Sequence, residues 1–293
     1  MITKAAPAKV NLYLRVLRKR EDGYHDILSL MQRISLCDDL SFSPDSRGLA
    51  VHCPGTPLPE DQGNIVHRAA AAFFSRIGKP PNVAITIRKR IPIAAGLGGG
   101  SSDAATTLLT LNEMHGSPLT ARELMRIGTS LGADVPFFIV GKTVWASGIG
   151  DRFTECPPLP PFHFVLVNPG FEISTKSVYQ GLNLALTNRG IHYSIPRFFT
   201  QEDVIGALTN DLEKVTVKQH PVLHEIKALL LANGARGALM SGSGPTVFGV
   251  FTDSRTAGRA EKSLGQDARW RVFGAHSLQD SRSPFLQPSA GPE

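Results

Sequence analysis

The chain has 293 residues, 42% hydrophobic and 19% charged, the proportions of a globular protein long enough for about two domains. Its three cysteines, Cys37, Cys53 and Cys156, are widely spaced with no CxxC pair, which excludes a disulfide framework or a cysteine zinc site and fits a reducing cytoplasm. A net charge of +6 favours anionic ligands without naming one. Residues 1–7 lack the apolar centre of a secretory signal, and no stretch reaches the roughly 18 apolar residues of a membrane helix.

Val10, Leu12, Leu14 and Val16 alternate with Lys9, Asn11, Tyr13 and Arg15, so the chain opens on a half-buried strand. Asp22-Gly23 signals a turn into a second strand over 26–35. Residues 44–63 read as loop with a short strand at 49–52, followed by a helix over 65–77 and a strand over 83–89. Thr120-Ala-Arg-Glu123 is a capping box for a helix ending near Gly132. Two short apolar segments follow at 135–140 and 143–146, the first read as a strand. The proline run 157–161 marks the best boundary, giving a first domain at 1–156 and a second at 157–278. In the second, strands are expected at 162–167, 238–240, 246–251 and 270–273, and helices at 174–186, 201–208, 222–232 and 257–264. Such mixing is an α+β pattern. The tail, 279–293, is rich in Ser and Pro and reads as disordered.

Chemistry concentrates in four places. Between the strand at 83–89 and a helix over 104–111 lies Pro92-Ile-Ala-Ala-Gly-Leu-Gly-Gly-Gly-Ser-Ser-Asp103. Gly96, Gly98, Gly99 and Gly100 allow positive φ and close backbone approach, and Ser101, Ser102 and Asp103 are N-cap types. A flexible loop opening a helix offers free N–H groups and a positive dipole end, which is a phosphate site. It is neither a P-loop, since Ser101-Ser102 follows the last glycine, nor a dinucleotide fingerprint, since Ser101 holds the third glycine position. Lys9 and Asn11 share a strand face and can hold a phosphate or hydroxyl; a solvated face is the plainer reading. Asp134, in Gly132-Ala-Asp-Val-Pro136, can serve as a base or merely cap a helix. Gly242, Ser243 and Gly244 sit in a tight loop between strands, able to close over a transferred group or simply to turn the chain.

Taken in order, Pro7-Ala-Lys-Val-Asn-Leu12, Arg20-Glu-Asp-Gly-Tyr-His25, the glycine loop, Gly132-Ala-Asp-Val-Pro-Phe137, Asn168-Pro-Gly170 and Ser241-Gly-Ser-Gly-Pro-Thr246 resemble the GHMP small-molecule kinases. The likeness is greatest to members acting on a cytidine-diphosphate-linked polyol, and it spans residues 7 to about 250. It implies a two-domain α+β fold, the second domain ferredoxin-like, with the active site in the interdomain cleft. ATP would lie on Pro92, Gly96, Leu97, Gly98, Gly99, Gly100, Ser101 and Ser102. Asp134 matches the proposed base, and Lys9 the residue that orients the hydroxyl and stabilises charge. Tyr24 and His25 match positions that stack on and hydrogen-bond cytosine, Tyr179 matches a second stacking position, and Asn11 and the 242–244 loop would contact substrate. Mg2+ should accompany ATP, with Ser102 or Asp103 as candidate helpers and no evident carboxylate pair. The expected partner is a small molecule in the cytoplasm, with neither nucleic acid nor membrane. The rival readings are a GHMP kinase for homoserine, mevalonate or a sugar, and a nucleic-acid module using the basic clusters at 15–20 and 88–90.

Overall fold

The computed structural model describes residues 1–43, 48–182 and 194–279. The expectation of a disordered tail, from residue 280 on, and the end of the helix expected over 174–186 lie outside them.

Two sheets organise the molecule. The first is built on two long antiparallel strands, β1 (Ile2–Lys19) and β2 (His25–Ser43). β3 (Leu49–His52), then α1 (Ile65–Ile77), then β4 (Val83–Arg88) follow, with β4 pairing along the later half of β2. Helix α1 starts and stops where the sequence says: Asn64 accepts the Val66 N–H, and Gly78 closes the end with φ 65°. Helices α2 (Gly99–Met114), α3 (Ala121–Leu131) and α4 (Val135–Val140) come next, then β5 (Val144–Gly148) on the early half of β2 and β6 (Arg152–Glu155) beside it. The capping box of α3 forms as read, with Thr120 and Glu123 each serving the other's backbone.

The second sheet is antiparallel, with β7 (His163–Asn168) central between β10 (Val247–Phe251) and β11 (Arg271–His276), and β9 (Gly237–Met240) outside β10. Helices α5 (Thr175–Gln180), α6 (Gln201–Ala207), α7 (Glu213–Gln219), α8 (Val222–Ala232) and α9 (Ser254–Leu264) belong to this half. A two-residue strand, β8 (Thr209–Asn210), leaves it to pair in parallel with Tyr13 and Leu14 of β1. The second half thus adds a strand to the first sheet.

Alternation explains the packing. Phe164 and Leu166 of β7 join Ala8, Val10, Leu12, Phe248 and Val250 between the sheets, while Val165 and Val167 face α8 and α9. On β1 the pairing register slips between Pro7 and Ala8 and again between Asn11 and Tyr13. Each slip reverses the faces: Ala6 packs with α1 and α2, Ala8, Val10 and Leu12 pack between the sheets, and Leu14 and Val16 join the second outer core. Lys9 and Asn11 lie on the segment between the two slips, pointing away from the intersheet core.

Two local expectations are corrected. Helix α2 begins at Gly99 with Gly98 as its N-cap, so Ser101, Ser102 and Asp103 lie inside the helix rather than capping it. Residues 135–140 form helix α4, not a strand, with Pro136 in the first turn where its missing N–H costs nothing. The strands β6 and β8 and the helix α7 carry too little periodicity to be read from sequence.

Candidate active site

A cleft of about 1230 Å³ is lined from both halves of the chain. Pro92, Gly96, Gly98, Gly99, Gly100 and Ser101 form one wall, Lys9, Asn11 and Asp134 another, and Tyr24, His25, Tyr179, Gly242 and Ser243 complete it. Leu97, Ser102 and Gly244 do not line it: Leu97 packs in the intersheet core and the Ser102 side chain is fully buried.

The glycines are required by contact. Gly98 takes φ 71°, and a Cβ there would come 2.9 Å from the Phe138 ring and 3.1 Å from Lys9 Cγ. Gly96 takes φ 76°, and a Cβ there would stand 2.1 Å from the Ser241 carbonyl. The two glycine loops therefore meet backbone to backbone, and Ser241 Oγ donates to the Gly96 carbonyl at 2.9 Å.

Lys9 is held from every side. Its backbone N–H donates to Leu97 O at 2.9 Å, and its Nζ donates to Asn11 Oδ1 at 2.6 Å. Asn11 in turn donates to Ser29 Oγ, and Ser29 to the Tyr13 carbonyl. Lys9 Nζ lies 3.6 Å from Asp134 Oδ2, the Lys9 side chain being 5% exposed and that of Asp134 36%. Asp134 occupies the N-cap position of α4 but makes no capping bond, so the plainer reading of this acid does not apply. A carboxylate at the cleft surface beside a buried ammonium can accept a proton while the cation steadies an anion.

The far end is aromatic. The His25 and Tyr179 rings are 5.1 Å apart and tilted by 36°, while Tyr24 is 61% exposed. His25 Nε2 is buried with no hydrogen-bond partner among the described residues. Burial, then the charge of Lys19, holds the His25 pKa below its ordinary value, so the ring is neutral. Burial, with the Asp134 charge adding, raises the Tyr179 hydroxyl and keeps it protonated. Gly98 packs on Lys9, Lys9 pairs with Asp134, and His25 packs on Tyr179, all along the one cleft.

Sequence reasoning missed a buried triad behind the loop. Lys89 Nζ bridges Asp38 and Asp103, lying 2.7 Å from the latter, and Asp38 Oδ1 accepts the N–H groups of Arg90 and Ile91 at 2.6 and 2.9 Å. Burial, opposed by Lys89 and reinforced by Asp38, pushes the Asp103 carboxyl up to about 7. Asp103 lines the cleft and is bound to Lys89, while the Ser102 hydroxyl is buried with no hydrogen-bond partner among the described residues. Among the described residues no three His, Cys, Asp or Glu side chains form a group that could hold a metal ion. Asn64, Arg68, Lys19 and Lys176 also line the cleft, and of these only Lys19, in the basic cluster at 15–20, was singled out in the sequence.

The GHMP kinase N-terminal domain family matches residues 64–142, and the GHMP kinase C-terminal family matches 200–268. A 4-diphosphocytidyl-2-C-methyl-D-erythritol kinase of Syntrophus aciditrophicus (strain SB) is 56% identical over 95% of this chain and 100% of its own length. The chain belongs to the GHMP kinases. A second relative of the same name, from Syntrophotalea carbinolica, is 53% identical over 94% of the chain and 98% of its own length. The crystal structure of a 4-(cytidine 5'-diphospho)-2C-methyl-D-erythritol kinase superposes with a TM-score of 0.79 at 36% identity, covering 94% of this chain and 99% of that one. A homoserine kinase from Cytophaga hutchinsonii, at 17% identity and a TM-score of 0.68, shares the fold. This GHMP kinase is therefore a small-molecule kinase of two-domain α+β fold. No helix among its described residues is long and apolar enough to cross a membrane.

Proposed function

We propose that this kinase transfers the γ-phosphoryl group of ATP to the 2-hydroxyl of 4-diphosphocytidyl-2-C-methyl-D-erythritol, giving ADP and the 2-phosphate for isoprenoid precursor synthesis in the cytoplasm. The observation that carries the reading is that one cleft is lined by the glycine loop, the Lys9–Asp134 pair and the His25–Tyr179 rings. That lining supports a phosphate cradle, an acid–base pair and a nucleobase pocket within one site.

The triphosphate lies against the open N–H groups at the start of α2, where the dipole end is positive. Asn11 and Lys9 fix the acceptor hydroxyl. As its oxygen bonds to the γ-phosphorus and the bond to the β-bridging oxygen breaks, the hydroxyl proton passes to Asp134. Lys9 offsets the charge that builds on the phosphoryl oxygens. Such chemistry is mostly positioning and electrostatics, which a buried lysine oriented by Asn11 supplies. With no preformed acidic cluster among the described residues, Mg2+ would enter on the phosphates, as that ion commonly does; no step is assigned to it.

At the other end, Tyr24 and Tyr179 stack on the cytosine, and the unpartnered His25 Nε2 hydrogen-bonds its edge. The basic residues Arg18 and Arg20, which a nucleic-acid module would present outward, are paired with Asp22 and Asp26. The test is ADP release with ATP, Mg2+ and 4-diphosphocytidyl-2-C-methyl-D-erythritol, beside homoserine and mevalonate. ADP with the cytidyl substrate alone is the expected result. Turnover with another alcohol instead would keep the fold and remove the cytosine pocket.

A further inference from the structure

Beyond the cleft wall, one buried amide ties the two sheets together at the reacting end. Asn210 is 5% exposed and sits on β8, whose partner is Leu14 of β1, the strand that carries Lys9 and Asn11. Its Nδ2 donates twice, to the carbonyl of Met240 at 2.7 Å and to that of Gly242 at 2.8 Å. Its Oδ1 accepts the N–H of Leu212 at 2.9 Å. Three of the four bonds an amide side chain can make are thus formed, all to backbone.

The neighbours of Asn210 serve the same junction. Asp211 Oδ2 accepts the Val16 N–H, and the Asp211 N–H donates to Leu14 O, which fixes β8 to β1. Glu213 Oε1 accepts the Met240 N–H at 2.6 Å and its Oε2 takes Lys227. What is held there is the backbone of Gly242. A Cβ at Gly242 would lie 3.5 Å from both Lys9 Nζ and Asn11 Oδ1, so this loop is the roof over the catalytic pair.

We propose that Asn210 is a positioning residue for phosphoryl transfer, holding Gly242 over Lys9 and Asn11 so that the late glycine loop and β1 move as one body. It touches neither substrate; it acts through the Gly242 carbonyl. The inference rests on the transfer site described above. In such a site a displacement of about 1 Å can cost on the order of 100-fold in rate. A residue that only stabilised the fold would lower the melting temperature and leave turnover untouched below it.

The test compares the wild type with Asn210→Leu, which removes all three bonds, and Asn210→Asp, which keeps the acceptor for Leu212 and loses both donors. Asp253→Ala, which removes the N-cap of α9 outside the cleft, is the stability control. Rates are measured well below every melting temperature, together with equilibrium binding of ADP and of CDP. The expected result is a fall in kcat of about 10-fold to 100-fold in both Asn210 variants, with ADP and CDP dissociation constants within about twofold of wild type. Asp253→Ala should lose melting temperature and keep kcat. If Asn210→Leu does not fold, the same fall in Asn210→Asp carries the result. Wild-type kcat in the Asn210 variants, or a matching fall in Asp253→Ala, overturns the inference. A wild-type protein inactive on the cytidyl substrate overturns the transfer-site reading, and this inference with it.

Discussion

The two ends of the cleft are built on opposite principles. At the transfer end Lys9, Asn11 and Ser29 are buried, and each is already bonded to another protein group. At the aromatic end Tyr24 is exposed and His25 keeps a buried nitrogen without a partner. The first end is finished before any ligand arrives, which suits electrostatic stabilisation that must not reorganise during reaction. The second leaves polar capacity for a ligand to complete, which suits selection: the wrong base leaves that nitrogen unpaired. Rate should therefore live at one end and discrimination at the other.

The sharpest break in that division is Asp134→Asn. The amide keeps the size and a place beside Lys9 but cannot take the hydroxyl proton. We expect ATP affinity nearly unchanged and kcat reduced by about 100-fold to 10,000-fold. Steady-state rates with a direct nucleotide-binding measurement decide it, and near-normal turnover removes Asp134 from the mechanism.

At the other end the effects should be smaller and should fall on KM. His25→Ala removes the unpartnered nitrogen, and we expect KM for the cytidyl substrate to rise about tenfold, as for one buried hydrogen bond, with KM for ATP unchanged. Because burial holds the His25 pKa down, its charged form is disfavoured. The neutral ring therefore persists through neutrality, and KM should worsen only as acid forces protonation. A fall in kcat rather than a rise in KM would place His25 at the reacting centre and dissolve the contrast.

Legibility in the sequence followed the same line. What depends on neighbours in the chain was readable: α1 over 65–77, the capping box of α3, and Lys9 and Asn11 on one strand face, now seen bonded to each other. The glycine loop was readable as a loop, yet its helix starts earlier than the serines suggested. Gly98 must sit against Phe138 and Lys9, and that contact, invisible in one dimension, fixes where α2 begins. What depends on distant partners was hidden. β8 has two residues and pairs with a strand nearly 200 positions earlier, so no periodicity announces it. Asp103 looked like a cap, and only the fold shows Lys89 and Asp38 beside it.

That triad carries the smallest predicted effect, and it tests whether the transfer end is finished at a cost in stability. Asp103 is raised from an ordinary value of 3.8 to about 7. The folded protein therefore holds this proton to a higher pH than the unfolded chain does. The stability it contributes is complete below 3.8 and is lost as pH climbs through about 7. Asp103→Asn cannot titrate, so its melting temperature should lack that decline while keeping the buried polar group beside Lys89. We expect the wild type to lose melting temperature relative to the variant between pH 5 and pH 7.5, the window in which the folded and unfolded chains differ in this proton. Parallel curves would mean that Lys89 keeps Asp103 ionised throughout. The loop would then be clamped by a fully charged triad, and the transfer end would carry its negative charge before the phosphates arrive.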